Sequence, residues 1–133
     1  MLYFIMDGDD IGKGIEASIL EEDIPRMIRI TQEIQAALNI IVDVVRENQG
    51  EVVYRGCDDI SGRIAADKLG VLDDMILRFT RHTGFSASIG VGDSLHEAYL
   101  ALRFAKCRGK GQVLIWNHRS DHKPPAGDNH PPV

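Results

Sequence analysis

The chain opens on an apolar run. Met1 to Met6 carries no charged side chain, and its residues favour strands. That pattern predicts a central strand buried on both faces. From Ile24 to Val45 the period changes. Ile24, Met27, Ile28, Ile34, Leu38, Ile41, Val42 and Val45 recur at helical spacing, with Arg26, Arg29, Glu33 and Arg46 largely on the other side. A long amphipathic helix follows from this, with Asp23 as N-cap and Pro25 in its first turn. Between the two, Ile15 to Glu22 fits a short helical turn or a loop equally well. Gly50 ends the connection after the helix.

Glu51 to Arg55 and Ile60 to Ala66 read as two strands joined by Gly56, Cys57, Asp58 and Asp59, a hairpin signal. Asp67 to His82 carries Leu69, Leu72, Met75, Ile76 and Phe79 at helical spacing. Gly84 to Gly92 is a strand whose small residues predict closely packed neighbours. Ser94 and Glu97 have the spacing of a capping box and open a third helix, with Leu95, Ala98, Tyr99, Leu102 and Ala105 as its buried stripe. Gly109 is its expected C-terminal cap, and Gln112 to Trp116 the last strand. The predicted order is β-α-β-β-α-β-α-β. This is an α+β fold: a ferredoxin-like (RRM-like) palm with helices on a mainly antiparallel sheet and one helix and strand appended. One domain is expected at 1–116. Residues 117–133 hold four of five prolines and three of five histidines with almost no apolar residue, and are expected to be a disordered tail.

Composition narrows the function classes. With 133 residues, 44% hydrophobic and 26% charged, the chain has room for one core. A net charge of -5 argues against a protein that binds long nucleic acid by neutralising phosphates. No apolar run is long enough to span a bilayer, so no membrane partner is expected. The two cysteines, Cys57 and Cys107, form no CxxC pair or Cys/His array. Zinc is therefore disfavoured, and free thiols in a cytoplasmic protein are the expectation.

The acids change the picture most. Asp58 and Asp59 stand side by side on a hairpin tip, where like charges repel and raise each other's pKa. A divalent cation gives such a pair a purpose, because Mg²⁺ takes hard oxygen ligands together with substrate phosphates. If the first and third strands are neighbours, Asp7 faces Asp58 and Asp59. Three carboxylates there could hold two ions roughly 3.5–4 Å apart, the arrangement that drives in-line displacement at phosphorus. Asp7 to Gly14 offers three acids and three glycines after a buried strand. Its amides, from Asp9 to Gly12, could cradle phosphate, although a solvated turn explains that composition at least as well. Lys106 and Lys110, four apart, would share a face if the helix ran that far, and could meet terminal phosphates.

Several segments resemble known motifs. Asp7 to Lys13 resembles the DGDNxGK segment of the palm in the large subunit of type III CRISPR complexes. Gly56, Cys57, Asp58 and Asp59 resemble its GGDD motif. Ser86 to Val91 and Ala105 to Lys110 are similar to the ASIGVA and AKxxGRN segments of GGDEF diguanylate cyclases. The resemblance spans residues 1 to about 116, and the short length is most similar to stand-alone minimal CRISPR polymerases of anti-phage signalling systems. It implies a nucleotidyltransferase that makes a cyclic dinucleotide or short cyclic oligonucleotide, with ATP favoured. By that resemblance Asp7, Asp58, Asp59 and the Gly8 carbonyl hold Mg²⁺ (or Mn²⁺). Asp9, Asp10, Ile11, Gly12 and Lys13 form the phosphate turn, Gly56 and Cys57 lie against the nucleotide, and Lys106 and Lys110 hold terminal phosphates. A homodimer is implied, one nucleotide per palm. Cys57 departs from the second glycine of GGDD. Two further readings stay open: a palm that opens the guanine ring of GTP, and a nucleotide-binding dimerisation module without turnover.

Overall fold

The computed structural model describes residues 1–117. The expected tail therefore lies, from residue 118 onward, outside the described residues. The elements are β1 (Leu2–Gly8), α1 (Ile11–Leu20), α2 (Ile24–Glu47), β2 (Glu51–Arg55), β3 (Asp59–Ile64), α3 (Gly70–Thr83), β4 (Ala87–Gly92), α4 (Leu95–Cys107) and β5 (Val113–Ile115). A short 3₁₀ turn, Ala66–Lys68, precedes α3. The sheet runs β2-β3-β1-β4-β5. β1 is antiparallel to both β3 and β4, and β5 joins β4 in parallel. This is the expected palm, with four helices rather than three among the described residues. The ambiguous stretch at Ile15 to Glu22 is mostly α1, which begins at Ile11 and so also takes up the end of the glycine turn.

Alternation along the strands assigns the two faces of the sheet. Phe4, Met6, Ile60, Ile64, Ile89 and Val91 are fully buried on one face, in one cluster with Ile34, Leu38, Ile41 and Val45 of α2 and Leu72, Met75 and Phe79 of α3. Burying side chains of this kind contributes about 1.5–3 kcal/mol each, far more than surface ion pairs such as Arg78–Asp74. Gly90 points the other way. A Cβ there would overlap the backbone of Ala98 and Leu102, so α4 lies directly on β4. The small residues predicted to mark crowding in β4 are what admit that helix.

The caps follow the chemistry of the sequence. Asp23 accepts from the Arg26 amide at 3.1 Å at the start of α2, with Pro25 in the first turn. The Ser94 hydroxyl accepts from the Glu97 amide at 3.2 Å, while the Glu97 carboxylate accepts from the Asp93 amide rather than that of Ser94. After α4, Gly109 takes φ 107° and the Lys110 amide returns to the Ala105 carbonyl at 3.0 Å. The helix therefore stops at Cys107, and Lys106 and Lys110 do not share a helical face as the spacing had suggested.

Candidate active site

β1 is longer than its apolar run. Asp7 and Gly8 are still in the ladder, Asp7 opposite Asp59 on one side and Ser88 on the other. Asp7 is thus a strand residue and not part of the turn. The Gly8 amide donates to the Asp58 carbonyl at 3.0 Å, which ties the β2–β3 turn to the end of β1. The expected neighbourhood of Asp7, Asp58 and Asp59 is therefore present at one end of the central strands. All three are half-buried. A Cβ at Gly56 would displace the Asp59 carboxylate from its present position and lie 3.2 Å from the Tyr54 hydroxyl.

The electrostatics of these three acids are alike. Burial pushes the Asp7 carboxyl above the usual range, against the pull of Lys106, and Asp58 and Asp9 add to the rise. Burial and then the Asp59 charge raise Asp58. Burial and then the Asp7 charge raise Asp59. Each carboxylate is held where water is short and another negative charge is near.

Asp9, two residues on, is the opposite case. Its side chain is 1% exposed. The carboxylate accepts from Ser86 Oγ at 2.6 Å, Ser88 Oγ at 2.9 Å, Lys106 Nζ at 2.6 Å and the Gly111 amide at 3.0 Å. Burial alone would raise its pKa, but the hydrogen bonds from Lys106, Ser86 and Ser88 outweigh it and hold the group below the usual range. Its amide is also engaged, donating to the Ser86 carbonyl at 2.8 Å. Asp9 therefore offers neither amide nor carboxylate to a phosphate. Its partners Ser86 and Ser88 were missed from sequence. Their signal was there: two hydroxyls at alternate positions beside a buried strand call for a polar partner.

Lys106 is the hinge between the two sets of acids. Besides Asp9, its ammonium lies 3.2 Å from Asp7 Oδ2 and donates to the carbonyls of Asp7 at 3.2 Å and Gly8 at 3.0 Å. Lys110 is more exposed and pairs with Asp10 at 2.6 Å, where Lys13 also approaches to 3.5 Å. The hydrogen bond from Lys110 lowers the Asp10 pKa and raises that of Lys110. Asp10 occupies the N-cap of α1 at φ 61° without capping it, and the first turn of α1 has no acid. The amides of Ile11, Gly12 and Lys13 thus start a helix with a bare positive dipole end, a setting suited to an anion.

Beside that helix start lies a cavity of ≈ 310 Å³, lined by Ile11, Gly12, Ile15, Thr31, Ile34, Gln35, Cys57 and Asp58. It is largely apolar, and Asp58 is among its lining residues. Cys57 is exposed, forms no disulfide among the described residues, and borders this cavity.

The sequence of the described region decides the family. Residues 3–116 match the model of the minimal CRISPR polymerase domain. The chain belongs to the minimal CRISPR polymerase family. No curated protein matches it. Among solved structures it is similar to the active GGEEF domain of a diguanylate cyclase from Vibrio cholerae, at 11% identity and TM-score 0.67, covering 89% of this chain and 83% of that one. The GGDEF domain of DgcB from Caulobacter crescentus, solved with c-di-GMP, gives 17% identity and TM-score 0.63, with 86% and 76% covered. A Csm1–Csm4 cassette in complex with cA4 gives 17% identity and TM-score 0.69, covering 98% of this chain but 22% of that one. At these identities the likeness is one of fold. This minimal CRISPR polymerase is a cyclase- and polymerase-like palm domain, and no helix among its described residues is long and apolar enough to cross a membrane.

A divalent metal must be judged on the residues themselves. Among the described residues no three His, Cys, Asp or Glu side chains are gathered closely enough to hold an ion as they stand. The chemistry of the donors nevertheless fits one. Asp7, Asp58, Asp59 and the Gly8 carbonyl are hard oxygens, and burial with mutual repulsion raises the pKa of all three carboxyls despite Lys106 beside Asp7. An ammonium, that of Lys106, already sits against the carbonyl and one of the acids.

Proposed function

We propose that this palm is a Mg²⁺-dependent nucleotidyltransferase that joins ribonucleoside triphosphates, ATP favoured, into a cyclic dinucleotide or short cyclic oligonucleotide for anti-phage signalling. The observation that carries the reading is the trio Asp7, Asp58 and Asp59, half-buried at one end of the central strands with raised pKa values. It lies beside an uncapped helix start and an apolar cavity. A carboxylate cluster that costs stability by repulsion has a purpose where a cation and a triphosphate meet.

In the reaction, a ribose hydroxyl oxygen of one nucleotide forms a bond to the α-phosphorus of another. The bond from that phosphorus to the oxygen bridging the β-phosphate breaks, pyrophosphate leaves with the electron pair, and the hydroxyl proton passes to solvent. Mg²⁺ or Mn²⁺ held by Asp7, Asp58, Asp59 and the Gly8 carbonyl would supply the charge that activates the hydroxyl and offsets the leaving group. The α1 amides at Ile11, Gly12 and Lys13 receive phosphate oxygens, and Lys110 swings from Asp10 to the terminal phosphates. Lys106 contributes its charge from behind, through the Gly8 carbonyl and Asp7. The cavity beside Cys57 takes the base. One palm holds one nucleotide, so cyclisation requires two chains facing each other. Residues 1–116 are the catalytic unit in this reading.

The test is incubation of the full chain with single and mixed ribonucleoside triphosphates plus Mg²⁺ or Mn²⁺, with products identified by mass spectrometry. The reading predicts pyrophosphate and a cyclic phosphodiester product. Formate release would replace it with guanine ring opening, and nucleotide binding without any product would leave a dimerisation module.

A further inference from the structure

We infer that Arg55 and Gln35 form a strut that sets the Asp58 carboxylate relative to β1, and are positioning residues for the reaction proposed above; the inference rests on that reading. β2 keeps its ladder as far as Arg55, which pairs with Ile60. Gly56, Cys57 and Asp58 then leave the strand. Two backbone bonds hold this turn, from the Gly56 amide to the Asp59 carbonyl at 2.9 Å and from the Gly8 amide to the Asp58 carbonyl at 3.0 Å. The third hold comes from outside the sheet: Gln35 Nε2 donates to the Cys57 carbonyl at 3.1 Å.

A glutamine side chain has several soft torsions, and fixing it costs conformational entropy of up to about 2 kcal/mol. Arg55 fixes it. One nitrogen of the guanidinium donates to Gln35 Oε1 at 2.9 Å and to the Gln35 carbonyl at 3.3 Å, and the other to Asn39 Oδ1 at 2.6 Å. Gln35 and Asn39 lie one helical turn apart on α2, the helix whose Ile34, Leu38 and Ile41 are locked in the core. The guanidinium fork is thus placed on neutral oxygens of one rigid helix, an arrangement that gives orientation more than charge pairing. It fixes the amide that grips the residue preceding Asp58. The same amide borders the cavity, so the wall that meets the base and the turn that carries the metal ligands share one support.

Arg55→Ala removes the fork. Gln35→Glu keeps an attraction to Arg55 but loses the donor to Cys57. The full chain and both variants are compared by amide hydrogen exchange at Gly8 and Gly56, by Mn²⁺ affinity in calorimetry, and by kcat and KM. The strut predicts exchange about tenfold faster at both amides in both variants, as when one hydrogen bond of a local opening unit is lost. It also predicts Mn²⁺ affinity and kcat lower by roughly 10–100-fold, the usual effect of removing a support behind a metal ligand, with a smaller rise in KM from the shared cavity wall. Unchanged exchange at Gly8 and Gly56 in either variant overturns the strut. So does a Gln35→Glu protein that matches wild type, since that change removes the donor to the Cys57 carbonyl while keeping the attraction to Arg55. Wild-type protein that makes no product overturns the proposed reaction instead, and the exchange data still decide the strut.

Discussion

Two sets of aspartates share this corner of the fold and differ in almost every physical respect. Asp9 and Asp10 are satisfied. Lysines, hydroxyls and an amide neutralise them, and their pKa values lie below the usual range. Asp7, Asp58 and Asp59 are less so: Lys106 reaches Asp7 at 3.2 Å, yet burial and mutual repulsion lift all three. Asp7 and Asp9 are two residues apart, so sequence position does not separate them. The strand does. Asp7 is still paired in the sheet between Asp59 and Ser88, while Asp9 has left the ladder and turned into a buried nest made by Ser86, Ser88, Gly111 and Lys106. One set is held by lysines, hydroxyls and an amide; the other has three carboxylates beside a lysine, Lys106, that it shares with Asp9.

The sharpest way to break this comparison is substitution in each set. Asp58→Ala or Asp59→Ala should lower product formation by at least roughly 10³-fold, the several kcal/mol a metal-held charge contributes in the transition state. The fold should survive, as circular dichroism and thermal melting would show. Asp10→Ala should stay within several-fold of wild type. Equal losses in both sets would erase the distinction.

Next in size is Lys106→Ala. It strands the Asp9 carboxylate, 1% exposed, without its cation. Breaking a buried pair in this way costs about 3–5 kcal/mol, measurable by urea denaturation. The sequence alone suggested that this lysine chiefly holds phosphate; its contacts make it first a structural cation. A loss under 1 kcal/mol would show that Asp9 finds water or another partner.

The pH dependence of the metal-free protein carries the same contrast with opposite signs. For Asp7, Asp58 and Asp59 the folded pKa lies above the unfolded one, so the native state binds more protons between the two values, and stability falls as pH rises through that window. For Asp9 the folded pKa lies below the unfolded one, so its contribution is present above the unfolded value and is lost as pH falls through the folded value. Melting curves without metal should therefore show Asp58→Asn stabilising the protein near neutral pH by a few degrees and weakening the decline. Added Mg²⁺ with nucleotide should do the same for wild type. No change on Asp58→Asn would mean that the acids are relieved by solvent.

The smallest effect should come from Lys110→Ala. Its pair with Asp10 is on the surface. Melting should be unchanged, and KM for the triphosphate should rise several-fold with kcat preserved.

Most of the fold was legible because its signals are periodic. The long helix at Ile24, the hairpin around Gly56, the Ser94 cap and the Gly109 stop each follow from local spacing or backbone geometry. The approach of Asp7 to Asp59 was legible too, since strand order brings them opposite each other once β1 and β3 pair. What escaped was non-local. α1 was ambiguous because its start is Asp10, Ile11 and Gly12, poor helix-forming material held by tertiary contacts. The fate of Asp9 depended on Ser86 and Ser88, 77 and 79 residues away. The Arg55–Gln35 contact joins a strand end to a helix flank and has no sequence period at all.

We propose that Asp7, Asp58 and Asp59, and not Asp9 and Asp10, receive the metal. Calorimetric titration of Mn²⁺ into the full chain with a non-hydrolysable ATP analogue distinguishes the two sets. Saturable binding is expected for wild type and for Asp10→Asn, and its loss for Asp58→Asn. Undiminished Mn²⁺ binding by Asp58→Asn would contradict it.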